Sequence, residues 1–144
     1  MMKILLLGDS GFLGNNLFRE LTNIENIDLF TINAREEFKI KLGQLTLSSK
    51  ASKLIYDSDF IINCIADTSF ESCAKSKNSF IINAILPRAI LDAKNNYGTL
   101  IHFSTDAFYN QTLNFSNEKS KLEFSNSYSY QKFIGEELIK NKKS

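Results

Sequence analysis

This 144-residue chain is poor in the residues that staple a fold or bind a metal: it has two cysteines, one histidine and one proline. Cys64 and Cys73 make neither a disulfide framework nor a metal signature and are read as reduced structural thiols. His102 is read as a packed strand residue. No apolar run reaches the ~18 residues of a membrane span. The short run after Lys3 ends in glycine rather than in small cleavage-site residues, so no signal peptide is expected. The formal net charge is only +1, so no global basic field draws nucleic acid; the terminal "KNKKS" reads as a solvated tail. These absences point to a cytoplasmic chain with neither a nucleic-acid nor a membrane partner. No repeat or low-complexity segment interrupts it.

What is present is ordinary for a globular domain: 43% hydrophobic and 23% charged residues. A chain of this length suits one domain, 1–144, and buries about two-thirds of its unfolded surface. Lys3 to Leu7 is a continuous apolar run, as in a strand covered on both faces. Gly11 to Thr22 has helical apolar spacing. Ile27 to Asn33 reads as a second buried strand, Phe38 to Leu42 as a third nearer an edge, Leu45 to Tyr56 as a weaker helix, and Phe60 to Ala66 as a strong strand. Ser69 to Asn96 reads helical and is apolar nearly all round, with a kink or restart expected at Pro87. Thr99 to Thr105 is another strand, Ala107 to Ser125 a polar loop, and a last helix capped by Asn126 or Ser127 runs to about Lys140. The alternation predicts an α/β fold: a doubly wound parallel sheet.

"GDSGFLG" places Gly8, Gly11 and Gly14 between the first strand and the first helix. Unpaired N–H groups and the helix dipole make such a loop a match for pyrophosphate. Gly8 makes the turn, Gly11 keeps side chains out of the way of phosphate, and Gly14 lets helix and strand pack closely. A ligand-free βα turn is the plainer alternative. At the end of the second strand, where an acid would hold the 2′-hydroxyl of NAD, stands Asn33-Ala34-Arg35. Arg35 either grips the 2′-phosphate of NADP or pairs with Glu36 or Glu37 at the surface; the former favours NADP(H) over NAD(H).

Tyr128 and Lys132 are four apart on the last helix and share a face. Among five tyrosines and 14 lysines, YxxxK alone is a common accident; its weight comes from Ser104 and Thr105 at the end of a strand, on the edge where α/β sites assemble. An ammonium and an oxidised nicotinamide near Tyr128 would lower its pKa, and a hydroxyl would hold a substrate carbonyl beside it. An ordinary amphipathic helix end is again the plainer alternative.

Taken in order, "GDSGFLG", "NCIADTS", "IHFSTDAF" and "YSYQKFIGEE" resemble the extended short-chain dehydrogenase/reductase family, closest to its sugar-nucleotide reductases and epimerases of the dTDP-4-dehydrorhamnose reductase kind. The resemblance implies a Rossmann-type NAD(P) domain with Thr105, Tyr128 and Lys132 as catalytic residues. Ser104 would neighbour the catalytic hydroxyl, and Lys132 would also bind the nicotinamide ribose. Phe12 and Leu13 would approach the pyrophosphate, while Cys64, Ile65, Ala66 and Thr68 would line the cofactor groove. The substrate would be a keto sugar nucleotide, and helices 80–93 and 128–140 would pair in a homodimer. Three departures stand out. No acidic residue follows the third strand, and no aspartate-glycine turn follows the STD segment. Family members also run to roughly twice this length, so the C-terminal substrate domain is expected to be missing. A non-catalytic NAD(P)-binding module that meets a partner chain, and a sugar-nucleotide epimerase or dehydratase, are the alternatives.

Overall fold

The structure is a computed structural model that describes residues 1–109 and 115–141. The chain divides into two compact units: Met1–Ile65 with Ala89–Phe103, and Ala66–Arg88 with the chain from Ser104 onward. No described helix is long and apolar enough to cross a membrane.

The first unit is built on a four-stranded parallel sheet with strands β1 (Met2–Leu7), β2 (Ile27–Ile32), β5 (Phe60–Asn63) and β6 (Thr99–His102) in the order β2-β1-β5-β6. Four consecutive side chains of β1, Ile4 to Leu7, are buried. That is why the strand reads as an unbroken apolar run rather than an alternating one. From β1 the chain moves outward to β2, then returns to the other side of β1 for β5 and β6. With right-handed crossovers this reversal is the doubly wound topology. Register places Leu7 opposite both Ile32 and Asn63, and Asn63 opposite His102. The four strands therefore end level at one carboxyl edge. Helix α1 (Phe12–Thr22) lays Leu17 and Leu21 against Ile4, Leu6 and Ile62.

Two sequence expectations change here. Phe38 to Leu42 does not join the parallel sheet. Its residues form β3 (Phe38–Lys41), paired antiparallel with β4 (Gln44–Leu47) in a separate hairpin. The turn residues Leu42 and Gly43 both have positive φ, 52° and 78°, as a two-residue type I′ turn demands. Second, the helix expected from Leu45 starts only at Ser49: α3 is Ser49–Asp57, capped by the Ser48 hydroxyl accepting from Ala51 N–H at 3.0 Å. Between β2 and β3, α2 is a single short turn, Ala34–Glu37, which the sequence reading did not assign.

In the second unit the expected long helix is broken into pieces. α4 (Phe70–Lys75) and α5 (Lys77–Phe80) meet at Ser76, which is extended and caps α5. A π turn follows over Ile81–Ile85, and α6 (Leu86–Ala93), whose residues from Ala89 belong to the first unit, begins one residue before Pro87. Pro87 has no N–H for the Asn83 carbonyl, and the widened turn absorbs the lost α-helical bond. Leu86 N–H bonds back to Ile81 O instead. α7 (Ser127–Lys140) is capped by Asn126, whose side chain accepts from Ser129 N–H at 2.8 Å. α7 packs on the π turn so closely that a Cβ at Gly135 would lie 2.6 Å from the Asn83 carbonyl oxygen. Phe108, Phe124 and Phe133 form an aromatic cluster beside it. The expected loop from Ala107 contains an antiparallel bridge, Tyr109 to Leu122. Its residues 110–114 lie outside the described residues, as do 142–144 of the lysine tail.

Candidate functional site

At the carboxyl edge of the first unit, the residue after each of β1, β2 and β5 is one that the sequence singled out: Gly8, Asn33 and Cys64. Gly8 has φ +85°, and a Cβ on it would meet the backbone of Cys64 and Ile65 at 3.0 and 3.1 Å. The glycine loop and the Cys64-Ile65 segment thus touch where the strand order reverses, the place where α/β sheets open a crevice. Gly14 faces inward: a Cβ there would sit 2.0 Å from the Gly8 carbonyl oxygen. Gly11 is different. Its nearest neighbour would be 3.4 Å away, an ordinary contact, and it caps α1 with no side-chain hydrogen bond to the first turn. Nothing inside the fold requires glycine at this exposed position. A dinucleotide pyrophosphate fits the loop: the helix offers N–H groups without a side-chain acceptor, and Gly11 leaves them open. Phe12 beside them is 91% exposed, and Leu13 is also exposed.

Asn33 caps α2: its Oδ1 accepts from Arg35 N–H at 3.2 Å and its Nδ2 donates to Glu36 at 2.8 Å. Glu37 accepts from the Ser48 hydroxyl and pairs with Lys50 at 3.5 Å. Both acids that could have neutralised Arg35 are engaged elsewhere. Arg35 itself is exposed and has no ion pair among the described residues. Cys64, half-buried, and Cys73, buried, are both free thiols, and burial raises each pKa, with the Asp67 charge adding to it at Cys73. Asn63 is buried and joins β5 to β6 by a 3.2 Å contact between its Nδ2 and His102 Nδ1. His102 is therefore a half-buried strand residue with a polar partner.

In the second unit, Ala66 and Thr68 are exposed on the segment entering α4. Thr105 Oγ1 accepts from Ala107 N–H at 3.2 Å. Ser104 and Thr105 line a cleft of about 490 Å³ with Asp106, Phe108, Glu136 and Lys140 among its other walls. Tyr128 and Lys132 are not part of that lining. Tyr128 is half-buried, its ring 6.1 Å from Phe70. Burial, and then Cys73, push its pKa up; the lowering expected from the sequence was for a phenol with an ammonium and an oxidised nicotinamide beside it. Lys132 is 2% exposed. Burial brings its pKa down to about 8, with Glu136 pulling the other way.

The sequence reading missed a polar network in this unit. Asn83 sits in an otherwise apolar stretch, "FIINAILP", and is fully buried. It bonds to both the N–H and the carbonyl of Asp67, each at 2.9 Å, and to Gln131 Oε1 at 2.9 Å. The signal was available: an amide inside an apolar helix has to find partners. No group of three or more His, Cys, Asp and Glu residues suited to a metal occurs among the described residues.

Residues 4–143 match the model of the NAD dependent epimerase/dehydratase family. The chain is similar to the solved dTDP-4-dehydrorhamnose reductase from Bacillus anthracis in complex with NADP: 22% identity, TM-score 0.76, covering 97% of this chain and 50% of that one. It is similar to a hypothetical dTDP-4-dehydrorhamnose reductase from Sulfolobus tokodaii at 25% identity and TM-score 0.72, covering 96% of this chain and 51% of that one. A UDP-glucuronic acid 4-epimerase from Bacillus cereus, in complex with UDP-glucuronic acid and NAD, matches at 19% identity and TM-score 0.74, covering 95% of this chain and 51% of that one. The chain thus spans about half the length of these solved proteins. No curated protein matches it. With the parallel sheet, the glycine loop at its switch point and a family model that spans nearly every residue, the chain belongs to the NAD dependent epimerase/dehydratase family.

Proposed function

We propose that residues 1–144 form the dinucleotide-binding domain of an NADP(H)-dependent oxidoreductase acting on a keto sugar nucleotide, of the dTDP-4-dehydrorhamnose reductase kind. Gly11 carries this reading: the fold has no need of glycine there, whereas a pyrophosphate approaching the start of α1 does. In the proposal Gly8 and Gly14 shape the loop, Phe12 and Leu13 flank the pyrophosphate, and Asn33 neighbours the adenosine ribose. Cys64, Ile65, Ala66 and Thr68 line the groove. Arg35, its neighbouring acids engaged elsewhere, suits a 2′-phosphate and favours NADP(H) over NAD(H).

When bound, the reduced nicotinamide supplies a hydride to the sugar's carbonyl carbon. Thr105, beside Ser104, accepts at its oxygen from Ala107 N–H, which leaves its own proton to hold the carbonyl oxygen. Tyr128 gives a proton to that oxygen; its raised pKa keeps the phenol charged with the proton that reduction consumes. Lys132 is mostly ammonium at neutral pH with a pKa of about 8. It holds the nicotinamide ribose and steadies the phenolate left behind. The helices spanning 80–93 and 128–140 pair two copies, with Ile85 and Tyr130 exposed for the purpose.

Titration calorimetry with NADPH and NADH tests the binding reading. Heat of binding with NADPH preferred is expected; no binding of either at millimolar concentration by the folded protein overturns it. The catalytic assignment is tested by NADPH oxidation with a dTDP-4-keto sugar, of which residues 1–144 alone are expected to turn over little or none, spanning as they do about half of the solved relatives. In a protein that does turn over, a fall of about 100-fold or more in Tyr128→Phe supports it, and turnover indifferent to that change removes it.

A further inference from the structure

The Asn83 network ties together parts of the second unit that the proposed function uses separately. Asn83 Oδ1 accepts from Asp67 N–H and Asn83 Nδ2 donates to Asp67 O, so the segment between Ala66 and Thr68 is clamped at its middle residue. The Asp67 carboxylate is itself held by the hydroxyls of Ser72 and Ser79 at 2.5 and 2.6 Å. From the other side Gln131, 4% exposed, accepts from Asn83 Nδ2 with Oε1 and donates to the Cys73 carbonyl with Nε2, both at 2.9 Å. One amide, using one acceptor and one donor, spans α7, the π turn and α4. Gln131 follows Tyr128 by three positions and precedes Lys132 by one, so whatever fixes it fixes the turn that carries both. Gly135, one turn on, presses α7 against the same Asn83 backbone.

We infer that Gln131 is a positioning residue: by bridging Asn83 and the Cys73 carbonyl it holds the Tyr128–Lys132 turn of α7 and the Ala66–Thr68 segment as one piece, so that cofactor contacts and the proton donor are set together. This rests on the proposed function for the roles of Tyr128, Lys132, Ala66 and Thr68. Glutamine suits the place because one amide carries both an acceptor oxygen and an N–H donor; an apolar side chain of the same length would take away the acceptor from an Asn83 N–H and the donor from the Cys73 carbonyl.

The test uses Gln131→Met, which keeps the length and removes both bonds. Gln131→Asn, one methylene shorter and unable to reach both partners, serves in its place should the first not fold. Ile55→Val on α3, outside the network, controls for stability loss alone. Two quantities are read well below the melting temperature: NADPH affinity by calorimetry, and the pKa of the Lys132 amine by competitive acetic anhydride labelling with peptide mass spectrometry. NADPH binding weaker by about tenfold in the Gln131 variant, with the Lys132 pKa rising by about one unit as water reaches the loosened turn, supports the inference. A lower melting temperature with both quantities unchanged, as expected of Ile55→Val, overturns it. If the unsubstituted protein binds no NADPH, the proposed function falls, and the Lys132 pKa alone decides whether Gln131 positions the turn.

Discussion

Gly11 and Gly14 lie three residues apart on one loop and are glycines for different reasons. A methyl group at Gly14 would collide with the Gly8 carbonyl at 2.0 Å, while one at Gly11 meets nothing closer than 3.4 Å. Gly14→Ala is expected to cost about 3 kcal/mol or more by displacing α1 from the loop, and Gly11→Ala less than about 0.5 kcal/mol; chemical denaturation distinguishes them. Lys132 gives a second residue-scale prediction. Its folded pKa of about 8 lies below the ordinary 10.5, so between those values the unfolded chain holds a proton that the folded chain has released. Its contribution to stability therefore improves as pH rises from 8 to 10.5, by up to ~1.4 kcal/mol per pH unit. Below pH 8 the full cost of burying the charge stands. Lys132→Met should be more stable than the parent at pH 7, with the advantage shrinking toward pH 10.5; an advantage independent of pH would contradict the burial argument. The glycines were legible in the sequence because their spacing records a backbone requirement. Gln131 was not, since its partner Asn83 is 48 residues away and neither residue type announces the other.

The elements that the sequence misassigned are those whose partners are local and small. Phe38 to Lys41 alternates as a strand should, but alternation does not say which strand it joins, and its partner β4 was read as the start of a helix. Gln44-Leu45-Thr46-Leu47 fits either period over so short a span. The turn between them holds Leu42, 96% exposed, at φ 52°, a conformation that costs a non-glycine residue about 1 kcal/mol and that asparagine tolerates better. Leu42→Asn should therefore raise the urea midpoint at unchanged slope, and a lower midpoint would show that Leu42 makes a contribution its exposure does not reveal. Pro87 was legible as an interruption, because a missing N–H has to be absorbed somewhere; the π turn that absorbs it was not, since a kink or a restart would absorb it equally well. A cap at Asn126 or Ser127 was readable, and the structure gives it to Asn126; Asn126→Ala should lower stability by about 1 kcal/mol.

For the whole molecule, the parallel sheet was legible in the alternation of apolar runs and helical segments, while the order β2-β1-β5-β6 was not, because alternation does not say on which side of β1 each later strand is laid. The match of the family model to residues 4–143 agrees with motifs read in sequence order, because each motif follows the end of a strand or starts a helix. The proposed pairing of copies through the 80–93 and 128–140 helices predicts a concentration-dependent dimer in sedimentation, weakened by Ile85→Asp; a clean monomer at high concentration would count against it. Arg35→Ala should lower NADPH affinity and leave NADH affinity unchanged, by the loss of one charge-assisted contact of about 1.5–3 kcal/mol. Central to all of this is the proposal that a dinucleotide pyrophosphate sits on the glycine loop, and the most direct measurement is NADPH calorimetry on the parent and on Gly11→Ala, with melting followed in parallel. Binding by the parent that is lost or weakened at least about tenfold in a variant of unchanged melting temperature is the result expected. Equal affinity in the two proteins, or no binding by the folded parent, would contradict it.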